Sequence, residues 1–524
     1  MNLARRAAWL VLALAIPLLA ASPAAATPQA QATPERVATA VGRLDSIVEQ
    51  TMQRTGTPGI AVAVVYRDEV VYLSGFGVRE NGKEARVDAD TVFQLASLSK
   101  PVASTVVAAV VGDGLFSWDD PIVKHDPSFA MHDAWVTSQV TARDMFSHRS
   151  GLPDHAGDWL EDIGYDRATV LHRLRYYEPE YSFRAGYAYT NFGLTAGAVA
   201  AAKAAGVPWE ELSAERLYRP LGMNSTSSRF ADYAARPNRA LTHVLVDGRF
   251  EAKYTRDADA QSPAGGVSSS ARDMAQWLRL QLGDGTVDGH TIVDGEALVE
   301  PHRPQVIRGQ APYPATGRAS FYGLGWNVSY DGDGRLQLSH SGAFELGAGT
   351  TVYLVPAEEI GIVVLTNAQP RGVAETIALS FLDLALRGTQ ELDYLPLLQA
   401  EYERALAPNY GTTVDYAKPP ANPRPPLPLS AYIGAYSSDL WGEIEIAAAE
   451  GGGGLVLRAG VNQGPFALRH WDRDTFLYQP GGENAYGPSG VTFQIGPDGR
   501  ASSVTIEYFD IQGQGTLTRV PAGR

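Results

Sequence analysis

The stretch "FQLASLSKPVASTVVAAVV", residues 93–111, sets a serine and a lysine three positions apart at the head of a long apolar run. If Ser97 opens a helix, Lys100 lies one turn later on the same face, with its amine within reach of the hydroxyl. The run that follows is apolar almost all round, which is the pattern of a buried helix. Pro101 is tolerated because it falls in the first turn. Burial makes a charged lysine costly, so its pKa should fall towards that of a usable base. A serine at a helix N-terminus has backbone N–H groups and a positive dipole end nearby, which suit a developing oxyanion. Read in isolation, the same pair is a capping serine and a snorkelling lysine.

Working outward, "GIAVAVVY" (59–66) and "EVVYLSGF" (69–76) are β-rich runs parted by Arg67 and Asp68, an antiparallel hairpin. Ahead of them, Thr33-Pro34 caps a helix whose apolar positions Val37, Val41, Leu44 and Val48 recur at helical spacing. Far downstream, "TTVYLVP" (350–356) and "IGIVVLTNA" (360–368) form a second strand pair before a helical "AETIALSFLDLALRG" (374–388). The order points to one α/β domain with an antiparallel sheet assembled from both ends, flanked by helices and joined to a mostly helical middle.

At residues 414–430 the composition changes, with five prolines between Pro419 and Pro426. Such a run favours extended polyproline geometry and reads as a semi-rigid linker. Beyond it, about eight short β-prone segments broken by Gly, Asp and Pro predict a small antiparallel barrel or sandwich, with "GGGG" (451–454) as a hairpin tip. The expected layout is a leader over 1–26, a main domain over 35–385, a linker over 386–428 with a Pro-rich end, and a β-barrel over 429–524.

The 524 residues exceed what one hydrophobic core usually supports, in keeping with two domains. A formal charge of -15 and a pI near 5.2 exclude the basic surface that nucleic acid requires. Residues 1–30 hold Arg5 and Arg6, an apolar core too short for a membrane span, and Ala24-Ala25-Ala26, the order of a secretory signal cut after Ala26. A periplasmic or secreted protein with no remaining membrane anchor is expected. Cysteine is absent, which removes disulfides, thiolate nucleophiles and cysteine zinc sites. No cofactor or metal motif is found: His148 and His155 in "HRSGLPDH" lack the H-E-x-x-H spacing.

Two further stretches bear on Ser97. "YAYTNFGLTAGAVAAA" (187–202) places Tyr189 and Asn191 at the start of another apolar helical run. A tyrosine beside a lysine can serve in proton transfer, and an Asn amide can bond a substrate amide. In "LQLSHSGAFELGAGTTVYLVP" (336–356), His340-Ser341-Gly342 follows an alternating strand, and Gly342 would let a substrate backbone lie close. Alone, Tyr189 reads as a core aromatic, Asn191 as a helix cap and His340 as a structural histidine.

Together S-x-x-K, Y-x-N and H-x-G, in that order, resemble the serine β-lactamase and penicillin-binding protein superfamily. The likeness is greatest to its class C β-lactamase, DD-peptidase and D-aminopeptidase branch. "DMFSHRSGLPDH" (144–155), "RPLGMNST" (219–226), "SPAGGVSSSARDMAQWLR" (262–279) and "YGLGWNV" (322–328) extend the likeness over roughly residues 35 to 385. The resemblance implies a β-lactamase/DD-peptidase-like fold and a lipocalin-like C-terminal barrel, a domain that in relatives can border the active site or mediate assembly and that is expected here to narrow access to Ser97. It implies Ser97 as acylated nucleophile, Lys100 as its activator and Tyr189 as proton shuttle to the leaving group. Asn191, His340, Gly342 and Ala343 become substrate-binding positions, with the N–H groups of Ser97 and Ala343 as the oxyanion hole. Which of Lys100 and Tyr189 is the base stays open.

His340 stands where β-lactamases of this branch usually carry Lys, and histidine is charged only part of the time near neutrality. That departure favours a peptidase or amidase acting on short peptides, D-residue-containing or other. The alternatives are a β-lactamase, a carboxylesterase or a non-catalytic penicillin-binding sensor. Peptides, β-lactams and esters are the expected ligands, and a homo-oligomer is compatible with the sequence.

Overall fold

The computed structural model describes residues 31–310, 318–390, 392–461 and 464–521. The leader expected at 1–26 lies outside the described residues. Helix α1 (Pro34–Thr55) starts at Thr33, whose hydroxyl accepts from the Arg36 N–H, and buries Val37, Ala40, Leu44 and Val48 along one face. Strands β1 (Gly59–Tyr66) and β2 (Glu69–Gly77) pair antiparallel through Arg67 and Asp68, both at positive φ (52° and 64°), the geometry of a two-residue hairpin turn.

The sheet continues with β3 (Val306–Gly309), β4 (Ser320–Tyr322), β5 (Asn327–Tyr330), β6 (Leu336–Phe344), β7 (Ala348–Val355) and β8 (Ile360–Thr366), in spatial order β2-β1-β8-β7-β6-β5-β4-β3. β1 pairs with β8, Ile60 opposite Thr366, so the two ends of the domain close one antiparallel sheet. Every residue of β1, β7 and β8 is buried because helices cover both faces, which explains their unbroken apolar runs. On one face Val62, Val64, Ile362 and Val364 pack with α1 and with the closing helix Val373–Arg387. On the other, Ala61, Val363 and Leu365 share a core with the helix that carries Lys100 and with Trp277 and Leu278.

The C-terminal strands Gly434–Ser438, Gly442–Ala448, Leu455–Arg458, Phe466–Asp472, Thr475–Tyr478, Ser489–Ile495, Ala501–Ile506 and Thr516–Arg519 form a closed eight-stranded barrel. Tyr432, Tyr436, Phe476 and Phe493 pack against one another in its core, with Val491, Val504 and Leu517 also buried. Alternating inward residues fill a barrel of this size. The segment expected as a linker carries a helix, Tyr394–Ala405, whose Tyr394, Leu395, Leu398 and Tyr402 are buried. Residues 406–428 then run without regular structure towards the barrel.

The barrel docks on residues 154–178 of the main domain. The Val461 N–H donates to the Ile163 carbonyl (2.9 Å), Tyr165 to the Trp441 carbonyl (3.0 Å) and Arg173 to the Leu440 carbonyl (2.6 Å). Gly460, at φ +71°, makes this approach possible: a Cβ there would stand 1.8 Å from the Ile163 carbonyl oxygen.

Candidate active site

Of residues 91–110, Ser97 alone is not buried. It sits in a 3-10 turn, Ala96–Leu98, that runs directly into the helix Ser99–Gly112. Ala96 is buried with φ +49°, an unfavourable conformation for a residue with a Cβ, costing on the order of 1–3 kcal/mol. The turn is held from behind by β6 and β7: the Thr350 hydroxyl donates to the Leu95 carbonyl (2.7 Å), and a Cβ on Gly342 would stand 2.0 Å from that same oxygen. The missing side chain of Gly342 therefore makes room for the turn that carries Ser97.

Lys100 has no exposed surface, and its Nζ has three oxygen neighbours: Ser97 Oγ at 2.9 Å, Asn191 Oδ1 at 2.6 Å and the Ala264 carbonyl at 3.0 Å. Burial lowers its pKa to about 7, against the opposing pull of the Asp158 charge. Two of the neighbours can only accept. A neutral amine satisfies both with its two N–H bonds, which leaves its lone pair towards the Ser97 hydroxyl.

Tyr189 donates to Ser97 Oγ from the other side (2.8 Å), and Lys100 Nζ lies 4.5 Å from the centre of its ring. Burial raises the tyrosine pKa well above its usual value, more than the bond to Ser97 lowers it. The two groups are thus poised in opposite senses, an amine that readily loses its proton and a phenol that keeps its own.

Asn191 begins the helix Asn191–Ala205. Its Nδ2 donates to Asp158 Oδ2 (2.8 Å), which turns Oδ1 towards Lys100. Asp158 Oδ2 also meets His155 Nδ1 at 2.7 Å, and the His155 N–H donates to the Tyr189 carbonyl (2.7 Å). The sequence weighs His155 only against a metal motif and does not single out Asp158; both line the cavity beside Ser97. Nothing in their spacing marks them, since their meeting with Asn191 depends on the fold.

His340 departs from expectation. It is buried, its Nε2 lies 2.9 Å from the Tyr322 hydroxyl and its Nδ1 2.8 Å from the Ser341 carbonyl. Burial first, and the nearby Lys100 second, hold its pKa well below the ordinary histidine value. It is a neutral wedge among tyrosines, with no charge to offer a substrate carboxylate. Its neighbours Ser341 and Ala343 line the cavity instead.

The cavity, about 160 Å³, extends from Ser97 and Tyr189 past Phe344 to the barrel. Its far wall holds Glu345 from the main domain and Glu483, Asn484 and Tyr486 from a barrel loop, with Tyr402 and Asn409 from the connecting segment. Glu483 accepts from the Glu345 N–H (2.5 Å). Asp162 anchors the same loop, accepting from the Glu483 N–H (2.9 Å), the Asn484 N–H (2.9 Å) and the Tyr508 hydroxyl (2.7 Å). Burial pushes Glu483 up to about 8 and Glu345 up to about 7. Arg256, also on the wall, is paired with Glu161 at 2.6 Å and has its Nε 3.8 Å from Glu483 Oε2.

Comparisons with known proteins agree with this architecture. The chain is 24% identical over 489 residues to the unguisins hydrolase of Aspergillus campestris, covering 88% of each. It is 25% identical over 334 residues to the D-alanyl-D-alanine-carboxypeptidase/endopeptidase AmpH of Escherichia coli K12, covering 62% of this chain and 84% of the relative. The octameric penicillin-binding protein homologue from Pyrococcus abyssi shares the fold with a TM-score of 0.57 at 19% identity, over 91% of this chain and all of that one. Residues 418–519 match a domain of unknown function, DUF3471. Residues 44–386 match the beta-lactamase family over more than half of the chain, and the protein belongs to that family.

Proposed function

We propose that the protein is an exported acyl-serine hydrolase that cleaves amide bonds in short peptides. The observation that carries the reading is the Ser97 hydroxyl held between a buried amine and a buried phenol at 2.9 and 2.8 Å. Neutral Lys100 takes the Ser97 proton as Oγ bonds to the substrate carbonyl carbon. The N–H groups of Ser97 and Ala343 receive the oxyanion. Tyr189 protonates the leaving nitrogen as the C–N bond breaks, and the Lys100 ammonium restores the tyrosine proton. Water then attacks the Ser97 ester, giving its proton back to Ser97 Oγ and releasing the acid.

Peptides are favoured over β-lactams for a reason other than partial charge on His340. That histidine is neutral, and the far wall of the cavity presents Glu345 and Glu483. The H-x-G position therefore offers no cation to a β-lactam carboxylate, and a neutral or amine-bearing peptide needs none there. The named activities of the relatives, unguisins hydrolysis and D-alanyl-D-alanine carboxypeptidase and endopeptidase action, lend support. Export rests on the leader at residues 1–26, and self-association on the octameric Pyrococcus abyssi homologue. Among the described residues no helix is long and apolar enough to cross a membrane.

The test is a panel of D- and L-peptides, nitrocefin and p-nitrophenyl esters offered to the purified protein. Peptide turnover exceeding that of nitrocefin supports the reading. Fast nitrocefin turnover with no peptide cleaved selects the β-lactamase alternative, and ester turnover alone selects the carboxylesterase.

A further inference from the structure

Ser97, Lys100, Asn191, Asp158 and His155 form one unbroken hydrogen-bonded chain. Its links are 2.9 Å from Ser97 Oγ to Lys100 Nζ, 2.6 Å to Asn191 Oδ1, 2.8 Å from Asn191 Nδ2 to Asp158 Oδ2 and 2.7 Å on to His155 Nδ1. An amide in the middle of such a chain has two orientations, and only a fixed acceptor on its nitrogen side decides between them. Asp158 is that acceptor, 3% exposed, on the short helix Asp158–Asp162, and its Oδ2 takes both the Asn191 and the His155 hydrogen bonds. His155 in turn is fixed by its N–H to the Tyr189 carbonyl and by its ring, 5.4 Å from that of Tyr189.

We propose that Asp158, oriented by His155, is a positioning residue that acts on Lys100 through Asn191. It keeps the amide oxygen towards the amine, so that the Lys100 lone pair stays aimed at Ser97, and its negative charge acts on the amine across one residue. The proposal rests on the reading of Lys100 as the base.

Other groups around Lys100 do not duplicate this role. His148 follows the helix Ala142–Phe146, accepts at Nδ1 from the Thr190 N–H (3.1 Å) and is held neutral by burial, then by the Lys100 charge. His340 on β6 is neutral as well, and Tyr189 keeps its proton. The helix Ser262–Gly265, which supplies the Ala264 carbonyl, has no ionisable side chain. Arg308 on β3 is a second cation acting on His148, Tyr189 and His340, and burial pushes Asp154, beside His155, up to about 7. At His155 itself burial lowers the pKa, but Asp154 and the hydrogen bond and charge of Asp158 outweigh that and raise it overall, while Lys100 repels it. Asp158 and His155 therefore act on Lys100 with opposite signs.

The experiment is the pH dependence of kcat/KM for p-nitrophenyl acetate with wild-type enzyme, Asp158→Asn and His155→Gln, alongside fluorophosphonate labelling of Ser97. Asp158→Asn keeps an acceptor for Asn191 but removes the charge, so the rise in activity should move to lower pH by about one unit. His155→Gln keeps a donor but removes the positive charge, so the rise should move to higher pH. A midpoint that stays in place or moves upward in Asp158→Asn overturns the proposal. If that variant does not fold, an unmoved midpoint in His155→Gln overturns it instead, and an upward shift supports it. Absence of Ser97 labelling in the wild type would refute the nucleophile reading itself, a separate failure.

Discussion

Lys100 Nζ lies 2.9 Å from Ser97 Oγ in a position with no exposed surface. Water cannot stabilise the ammonium there, and the amine meets only oxygens that it can satisfy while neutral. Burial therefore pulls its pKa down to about 7, the direction that its place at the head of a buried helix suggested.

The first consequence is a pH profile. Lys100 must be unprotonated to accept the Ser97 proton, and its pKa is about 7, so kcat/KM should rise through about pH 7 and level off above it. Lys100→Met should remove that limb and lower kcat by about 100- to 10,000-fold, the usual range for a lost general base. Stopped-flow kinetics between pH 5 and about 9 check both.

Tyr189→Phe removes the only hydroxyl that donates to Ser97 Oγ among the described residues, and keeps the ring beside Lys100. With proton delivery to the leaving group lost, kcat should fall about 100- to 10,000-fold on amides and much less on p-nitrophenyl esters, whose leaving group needs no proton. Equal losses on both substrates would contradict a role at the leaving group.

The acidic far wall makes a prediction about substrate charge. Carboxylates gain charge as pH rises through their pKa, here about 7 for Glu345 and about 8 for Glu483. Preference for a peptide bearing a lysine side chain over its neutral analogue should widen between about pH 6.5 and 8.5, where the ammonium is still protonated. Glu483→Gln should cut that preference about tenfold, as for one charged hydrogen bond, and leave neutral esters unchanged. Competition assays with the paired peptides measure it.

Asp162 ties the barrel loop to the main domain, so Asp162→Ala leaves the Glu483 and Asn484 N–H groups and the Tyr508 hydroxyl without their acceptor. The cost should be about 3 kcal/mol, seen as a lower unfolding midpoint and faster proteolysis of residues 479–488. With that wall loosened, bulky substrates should gain in kcat/KM relative to small ones. If the ratio does not move, the barrel does not control access.

Much of this was legible in the chain. The apolar runs of β1, β7 and β8 reported a sheet covered on both faces, and the short punctuated strands after residue 430 reported the barrel, because both signals are local. Ser97, Lys100, Tyr189 and Asn191 were singled out by the ordered motifs S-x-x-K, Y-x-N and H-x-G, since each alone reads as an ordinary core or capping residue, and the fold brings the four side chains together. Asp158, Glu345 and Glu483 were not. They lie on a short helix, after a strand end and on a barrel loop, and gain meaning only when distant segments meet. The surroundings of His340 were not legible because residue type tells nothing of burial: in the fold it is buried and its Nε2 meets the Tyr322 hydroxyl. The helix Tyr394–Ala405 was hidden behind the proline-rich stretch that follows it.

The most direct measurement is mass-spectrometric mapping of the protein after brief exposure to a fluorophosphonate or to a slowly hydrolysed substrate. An adduct confined to the peptide containing Ser97, lost in Ser97→Ala together with turnover, is the expected result. An adduct on another residue, or a Ser97→Ala enzyme that still turns over substrate at the wild-type rate, would contradict the acyl-serine mechanism.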